Sequence, residues 1–376
     1  MDLRFTEAQD ILRKMARDFL TTECPKTLVR ELEKSDKGYS PELWKKMAEL
    51  GWMGLVIPET YEGMGYSFQD LTVLLEETGR NILPGPLMPT IVSSYSILEG
   101  GTEEQKKEFL PKIAAGNLIL TLALLEADGS FEPSGISLKA TAKGDDFVLH
   151  GTKLFVEMAH IADYMVCVAR TKDGTDEKGI TLFLVDAKSK GLQCEVIPTI
   201  AADKLCEVRF EDVVVPKKNV LGKIDEGWPI VETMLRKGAI AKSAESVGAM
   251  QTCIDMTVAY SKERVQYERP IGAFQALQHL MANMWISMQT GRYLVYQAAS
   301  TESEGKPADK EASLAKAYIN EVYKDVAQWA IRLHGGIATS YDHDIPLYYR
   351  RSKAADTAFG STDYHRELVA QKIGLG

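Results

Sequence analysis

The stretch WPIVETMLRKGAIAKSAESVGAMQTCIDMTVAYSKERVQ, Trp228 to Gln266, sets the architecture. It reads as one long helix, and it opens a run of them: 275–302, 308–333 and the chain from 344 onward follow with short connections. Four long helices joined in this way make a bundle. The most linker-like piece, GKPADKE at 305–311, is an ordinary interhelix loop.

Upstream the pattern differs. LILTLALLEA, SLKATAKGDDFVLHGTKLFV, ADYMVCVART, GITLFLVDA, LQCEVIPTI and CEVRFEDVVVP are short β-rich runs divided by turn signals such as GDD, DG and SKG. They predict a central antiparallel β-barrel or sandwich over 119–225. Residues 1–118 return to helical spacing: Leu12, Met15, Ala16 and Phe19 share a face. Ser40-Pro41 supplies an N-cap followed by an N1 proline, and Gly116 closes a short helix. The class is therefore α+β, with an N-terminal helical domain (1–118), a β domain (119–225) and a C-terminal four-helix bundle (226–376).

Composition narrows the function. The 376 residues carry a net charge of −9 and no basic run, which argues against nucleic acid as a partner. No segment reaches the ~20 apolar residues of a membrane span. The amphipathic start, MDLRFTEAQDILRKMARDFL, is a helix and not a signal peptide. Five scattered cysteines (Cys24, Cys167, Cys194, Cys206, Cys253) lack metal-ligand spacing, so they read as reduced thiols of a cytoplasmic protein, with Cys206 and Cys253 in the core, and no metal is expected.

Specific strings carry the chemistry. SKERVQYERPIGAFQALQH (261–279), RLHGGIATSYDHDIPLYYRR (332–351), EADGSFEPSGISLKATAKGDDFVLHGTKLFVE and VRFEDVVVPKKNVLG resemble, in order and across the whole chain, segments of the acyl-CoA dehydrogenase family. The resemblance implies FAD, an acyl-CoA thioester as substrate, α,β-dehydrogenation, a tetramer, and an electron-transferring flavoprotein as acceptor. Such chemistry needs a carboxylate beside the α-hydrogen and donors on the thioester carbonyl, while the flavin takes the β-hydride.

In most relatives the base is the glutamate of a Tyr-Glu-Gly-Thr segment. Here the corresponding residues are Phe359, Gly360, Ser361 and Thr362, so the base position holds glycine. The other place where relatives carry it falls on Gly238. Asp356 and Glu157 are the weak substitutes. Leu125-Glu126-Ala127 replaces Thr-Glu-Pro at the flavin ring, and Phe155-Val156-Glu157 replaces an aromatic-x-Thr pair. Phe155 keeps the aromatic wall, and Ser130, beside Phe131, is one residue from the usual pyrophosphate serine. Ala239 stands where an arginine toward the CoA is frequent.

The residues that relatives offer to a neighbouring subunit's FAD persist as Arg264, Tyr267, Gln275, Gly335, Gly336 and Thr362, with Arg332 in place of a glutamine. Arginine suits a diphosphate through its planar charged donors. His334 and Glu245 read as structural. This split favours the degenerate partner in a heterotetramer of two competent and two degenerate subunits. A self-sufficient homotetramer with a displaced base for a cyclic or bulky acyl-CoA, and a non-redox acyl-CoA-binding or lyase/hydratase-type relative, are the alternatives.

Overall fold

The computed structural model describes residues 5–375. The helices are α1 (Glu7–Glu23), α2 (Lys26–Lys34), α3 (Pro41–Glu49), α4 (Phe68–Asn81), α5 (Leu87–Gly100), α6 (Glu103–Ala114), α7 (Trp228–Glu263), α8 (Gln275–Ser303), α9 (Asp309–His334), α10 (Ile345–Thr357) and α11 (Thr362–Lys372). The strands are β1 (Leu120–Ala123), β2 (Lys139–Lys143), β3 (Asp146–Glu157), β4 (Tyr164–Arg170), β5 (Ile180–Asp186), β6 (Leu192–Ile197), β7 (Leu205–Pro216) and β8 (Val220–Leu221). A small hairpin, Val265–Gln266 with Arg269–Pro270, follows α7.

Two compact units result. One takes the chain up to Arg30, Ser67–Leu83 and everything from Arg236; the other takes Glu31–Tyr66 and Pro84–Leu235. Thus α1 and α4 belong with the long C-terminal helices, while α3, α5 and α6 belong with the strands.

In the helical unit, α8 packs along α9, α9 along α10 and α11, and α4 against α1 and α8. Thr6 starts α1 with a capping box, its hydroxyl accepting from Gln9 N while the Gln9 side chain accepts from Thr6 N. Arg17 then grips the buried Glu77 carboxylate with two donors, at 2.9 and 2.6 Å, joining α1 to α4. Glycine lets α4 and α7 cross at backbone contact: a Cβ at Gly79 would collide with the Glu245 carbonyl, and one at Gly248 with that of Glu76.

In the other unit, α5 is buried along nearly its whole length, and its buried Ser94 and Ser96 hydroxyls donate to the helix's own Ile91 and Ser93 carbonyls. It lies against α6 and β1. Ser40 caps α3, accepting from Leu43 N at 3.1 Å, and Trp44 Nε1 donates to the Gly116 carbonyl at 2.8 Å.

The sheet corrects the expectation of an antiparallel barrel. Its strand order is β6-β7-β3-β2-β4-β5-β8, with β1 attached to β4. β1 and β2 both run parallel to β4, so the sheet is mixed, and among the described residues no pairing joins β6 to β8 to close it. Short runs divided by turn signals suggest successive hairpins. A parallel pair needs a long connection, and the β2–β3 hairpin lies within the connection from β1 to β4. β4 and β5 are buried along almost every residue, which places them at the core with Phe147, Phe183 and Phe210.

Among the described residues no helix is long and apolar enough to cross a membrane, and no cluster of potential metal ligands forms.

Candidate functional site

The chain between α10 and α11 breaks at Phe359-Gly360. Phe359 takes φ +57° and Gly360 φ +109°, and Ser361 restarts the helix as N-cap, accepting from Tyr364 N at 3.3 Å. Side chains of α9 and α11 clamp this turn. Lys316 Nζ donates to the Ala355 carbonyl (2.7 Å) and to Asn320 Oδ1. Asn320 Nδ2 donates to the carbonyls of Asp356 (3.1 Å) and Gly360 (3.4 Å). His365 Nε2 lies 2.8 Å from the Phe359 carbonyl, which requires the proton on Nε2. Its Nδ1 faces Ser313 Oγ at 3.3 Å.

Both positions where the resemblance expects a carboxylate base are filled by neighbouring side chains. A Cβ at Gly360 would stand 2.5 Å from the Tyr364 ring and 2.6 Å from His365 Nε2, with a backbone that L-residues avoid. A Cβ at Gly238 would collide with the Phe359 ring, which lies on that glycine. Asp356, a weak substitute base, has both oxygens engaged: Lys324 Nζ is 2.8 Å from Oδ2, and Thr362 Oγ1 donates to Oδ1 at 3.2 Å. Thr362, expected at a surface contact, is buried with its hydroxyl turned to Asp356.

The clamp is electrostatically unusual. Burial, reinforced by the nearby Lys242 and Lys324 charges against Asp356, pulls the Lys316 ammonium down to about 7. Burial likewise lowers His365 to about 4, with the Lys316 charge adding to it against the Phe359 hydrogen bond. The sequence carried a signal for this clamp: Lys316, Asn320 and Tyr323 share the face of α9 that also bears the buried Ala312 and Ile319.

The other predicted residues of this unit collect at one end of the helices. Tyr260, near the end of α7, stacks on His334 at the end of α9 with ring centroids 4.6 Å apart. The Arg264 carbonyl accepts from Ile271 N at 2.8 Å, which closes the hairpin loop and sets Gln275 at the start of α8. Tyr267 stands on the hairpin turn, 87% exposed. Arg332 lies over the Trp329 ring at 4.8 Å. Arg264, Gln275, Arg332, Gly335 and Gly336 are exposed as well. Gly335 needs its φ of +67° to end α9. Gly336 has no positive φ, and a Cβ there would meet nothing within 4 Å, so nothing in this chain requires glycine at 336.

In the sheet, Glu126 is held in place. Lys153 Nζ lies 2.7 Å from its carboxylate and donates to the Leu124 carbonyl at 2.8 Å, while Ser137 and Leu138 N donate to it. Burial opposes its charge, but Lys153 and these hydrogen bonds hold the carboxyl below the usual range. Leu125 and Ala127 bring no hydroxyl. A register shift between Lys153 and Val156 accompanies φ +57° at Phe155, a residue 48% exposed. Glu157 sits opposite Leu205, its carbonyl accepting from Thr121 Oγ1 at 2.5 Å. Ser130 Oγ accepts from Glu132 N at 3.1 Å within a turn.

A helical unit with such a turn after its Leu-His-Gly-Gly helix end, together with a mixed sheet carrying an exposed aromatic beside a buried Glu–Lys pair, defines an acyl-CoA dehydrogenase-type protein. Family models confirm the class: the acyl-CoA dehydrogenase N-terminal domain matches residues 6–117, the middle domain 121–213 and the C-terminal domain 225–374. The chain belongs to the acyl-CoA dehydrogenase family, whose members are FAD-dependent oxidoreductases. It is 30% identical to the caffeyl-CoA reductase-Etf complex subunit CarC of Acetobacterium woodii, over 97% of this chain and 98% of that one. The butyryl-CoA dehydrogenase structure from Megasphaera elsdenii is 27% identical, with a TM-score of 0.93 over 99% of this chain and 100% of that one. A structure of a variant of the Tcur3481-Tcur3483 steroid ACAD is 31% identical, with a TM-score of 0.88 over 98% of each chain.

Proposed function

We propose that this chain is the non-catalytic subunit of a heteromeric FAD-dependent acyl-CoA dehydrogenase. The observation that carries the reading is the packing at the base positions: Phe359 covers Gly238, and Tyr364 with His365 fills the space beside Gly360. A site that had only exchanged its base for another would keep that space for substrate. No carboxylate could enter it without moving the clamp on the turn.

The exposed helix ends support the second half of the reading. Arg264, Tyr267, Gln275, Arg332, Gly335 and Gly336 fit the diphosphate end of an FAD bound mainly by a partner, and the bare Gly336 suits close approach of such a group. Thr362 would join them only after leaving Asp356. Ser130 and Phe155 are what remains toward a flavin of this chain's own. Leu125, Ala127 and Glu157 fit that flavin poorly, two lacking hydroxyls and one adding negative charge beside a ring that gains electrons. When bound, FAD supplies hydride acceptance from the β-carbon of the thioester; this chain's residues would orient its phosphates.

The Etf complex of the CarC relative supports an electron-transferring flavoprotein as acceptor, and the paired name of the steroid relative supports a bulky acyl-CoA handled by two kinds of subunit.

The test is the visible spectrum and FAD content of the purified chain, alone and with a partner carrying Tyr-Glu-Gly. Less than full flavin alone, filled on mixing and reduced by Arg264→Gln, is the expected result. A full complement of FAD in the lone chain, bleached by an acyl-CoA, would overturn the reading in favour of a displaced base.

A further inference from the structure

Cys194 and Cys206 belong to the unit that holds the strands and not to the one that holds the turn at Gly360, and sequence spacing gives them no link. The sheet brings them together. Cys194 pairs with Val208 and Cys206 with Val196 across β6 and β7, so the two cysteines are diagonal neighbours on one face. That register sets their side chains next to each other on the same face of β6 and β7. Cys194 is exposed on β6, a terminal strand of the sheet, whereas Cys206 is buried.

A third group completes the arrangement. His160, on the short turn Ala159–Ile161 after β3, presents Nδ1 to Cys206 Sγ at 3.7 Å. Its Nε2 lies 3.1 Å from the Lys37 carbonyl, an acceptor only, so Nε2 must carry a proton. Nδ1 is then free to exchange a proton with the thiol. Nucleophile, base and a group that orients the base form the pattern of an activated cysteine.

Burial alone does the opposite to the other thiols of this protein. It pushes Cys24 up to about 11 and Cys167 up to about 12. Cys206 is as buried as these, yet its neighbours Cys194 and His160 hold it well below the usual thiol range. Cys194 is raised because it keeps the proton that it donates to Cys206, and His160 is raised chiefly by its bond to Cys206.

We propose that Cys194 and Cys206, with His160 as the positioning base, form a reversible dithiol–disulfide site that reacts with hydroperoxides. One sulfur, as thiolate, attacks the distal peroxide oxygen; the O–O bond breaks, the sulfur becomes a sulfenic acid, and the alcohol or water leaves with a proton. The second sulfur then attacks the first, forming the S–S bond and releasing water. Two thiols and one hydroperoxide thus yield one disulfide, one alcohol (or water) and one water. The disulfide would fasten β6 to β7 at the position where Cys206 faces Val156, between Phe155 and Glu157 of β3. The site stands apart from the proposed subunit role and does not depend on it.

The experiment treats the full reduced chain with equimolar hydrogen peroxide, alkylates it and maps the peptides. The expected result is a Cys194–Cys206 link within one chain, with Cys24, Cys167 and Cys253 still alkylated, reversed by dithiothreitol. Cys194→Ser should instead leave a sulfenic acid on Cys206 that a dimedone probe captures. His160→Gln should slow the oxidation several-fold at neutral pH: a return to an ordinary cysteine cuts the thiolate fraction to roughly 3 %, and the greater nucleophilicity of the less acidic thiolate offsets part of that loss. Five free thiols after treatment, a link only between chains, or unchanged kinetics in a folded His160→Gln variant would each overturn the proposal. The wild-type mapping needs no variant to fold.

Discussion

Restoring the glutamate by Gly360→Glu should damage this protein and give it no activity. The new side chain begins with a Cβ 2.5 Å from the Tyr364 ring and 2.6 Å from His365 Nε2. It also sits on a backbone with φ +109°, where a non-glycine residue costs about 1–3 kcal/mol. Displacing the two rings adds an overpacking cost of about 1–3 kcal/mol. Moving His365 also removes its bond to the Phe359 carbonyl. The sum is a destabilisation of about 2–6 kcal/mol. Urea unfolding followed by tryptophan fluorescence and far-UV circular dichroism measures it, with Gly336→Ala as control. The control has open space and no positive φ, so its stability should stay within about 0.5 kcal/mol of the parent. A Gly360→Glu protein as stable as the parent, or one whose flavin is bleached by an acyl-CoA, would sink this account: the site would then be vacated but still open.

Gly238→Ala should cost about 1–3 kcal/mol through its collision with Phe359, and adding Phe359→Ala should recover part of that in a double-mutant cycle; additive losses would deny the contact. Lys153→Met should cost about 3–5 kcal/mol by leaving the Glu126 carboxylate buried and unpaired, whereas replacing both residues with apolar ones should be far milder by the same unfolding assay. Stability should also rise with pH above about 7. Lys316 titrates near 7 when folded and near 10.5 when unfolded, so across that window the unfolded state binds more protons and rising pH favours folding. The effect is of order several kcal/mol, and Lys316→Met should remove that share of the slope between about pH 7 and 10. On the acid side, His365 is neutral when folded down to about 4 and protonates near 6.5 when unfolded, so its contribution is present above 6.5 and lost as pH falls toward 4; His365→Gln should flatten that limb.

The order of helices and strands, the cap at Ser40 and the family are all legible in the chain alone, because periodicity, capping residues and local strings are short-range signals. So is the presence of glycine at both base positions. Whether those glycines leave a cavity was settled only by packing, since Phe359 meets Gly238 from a distant segment of chain and His365 reaches back over the turn. The mixed sheet was illegible for a similar reason: strand direction depends on the β1 and β2 pairings with β4, and alternation along one strand does not encode them. The cysteines make the same point most sharply. Cys194 and Cys206 read as scattered thiols in the chain, and only the register of two antiparallel strands, with His160 turned toward them from the end of a third, joins them into one chemical group.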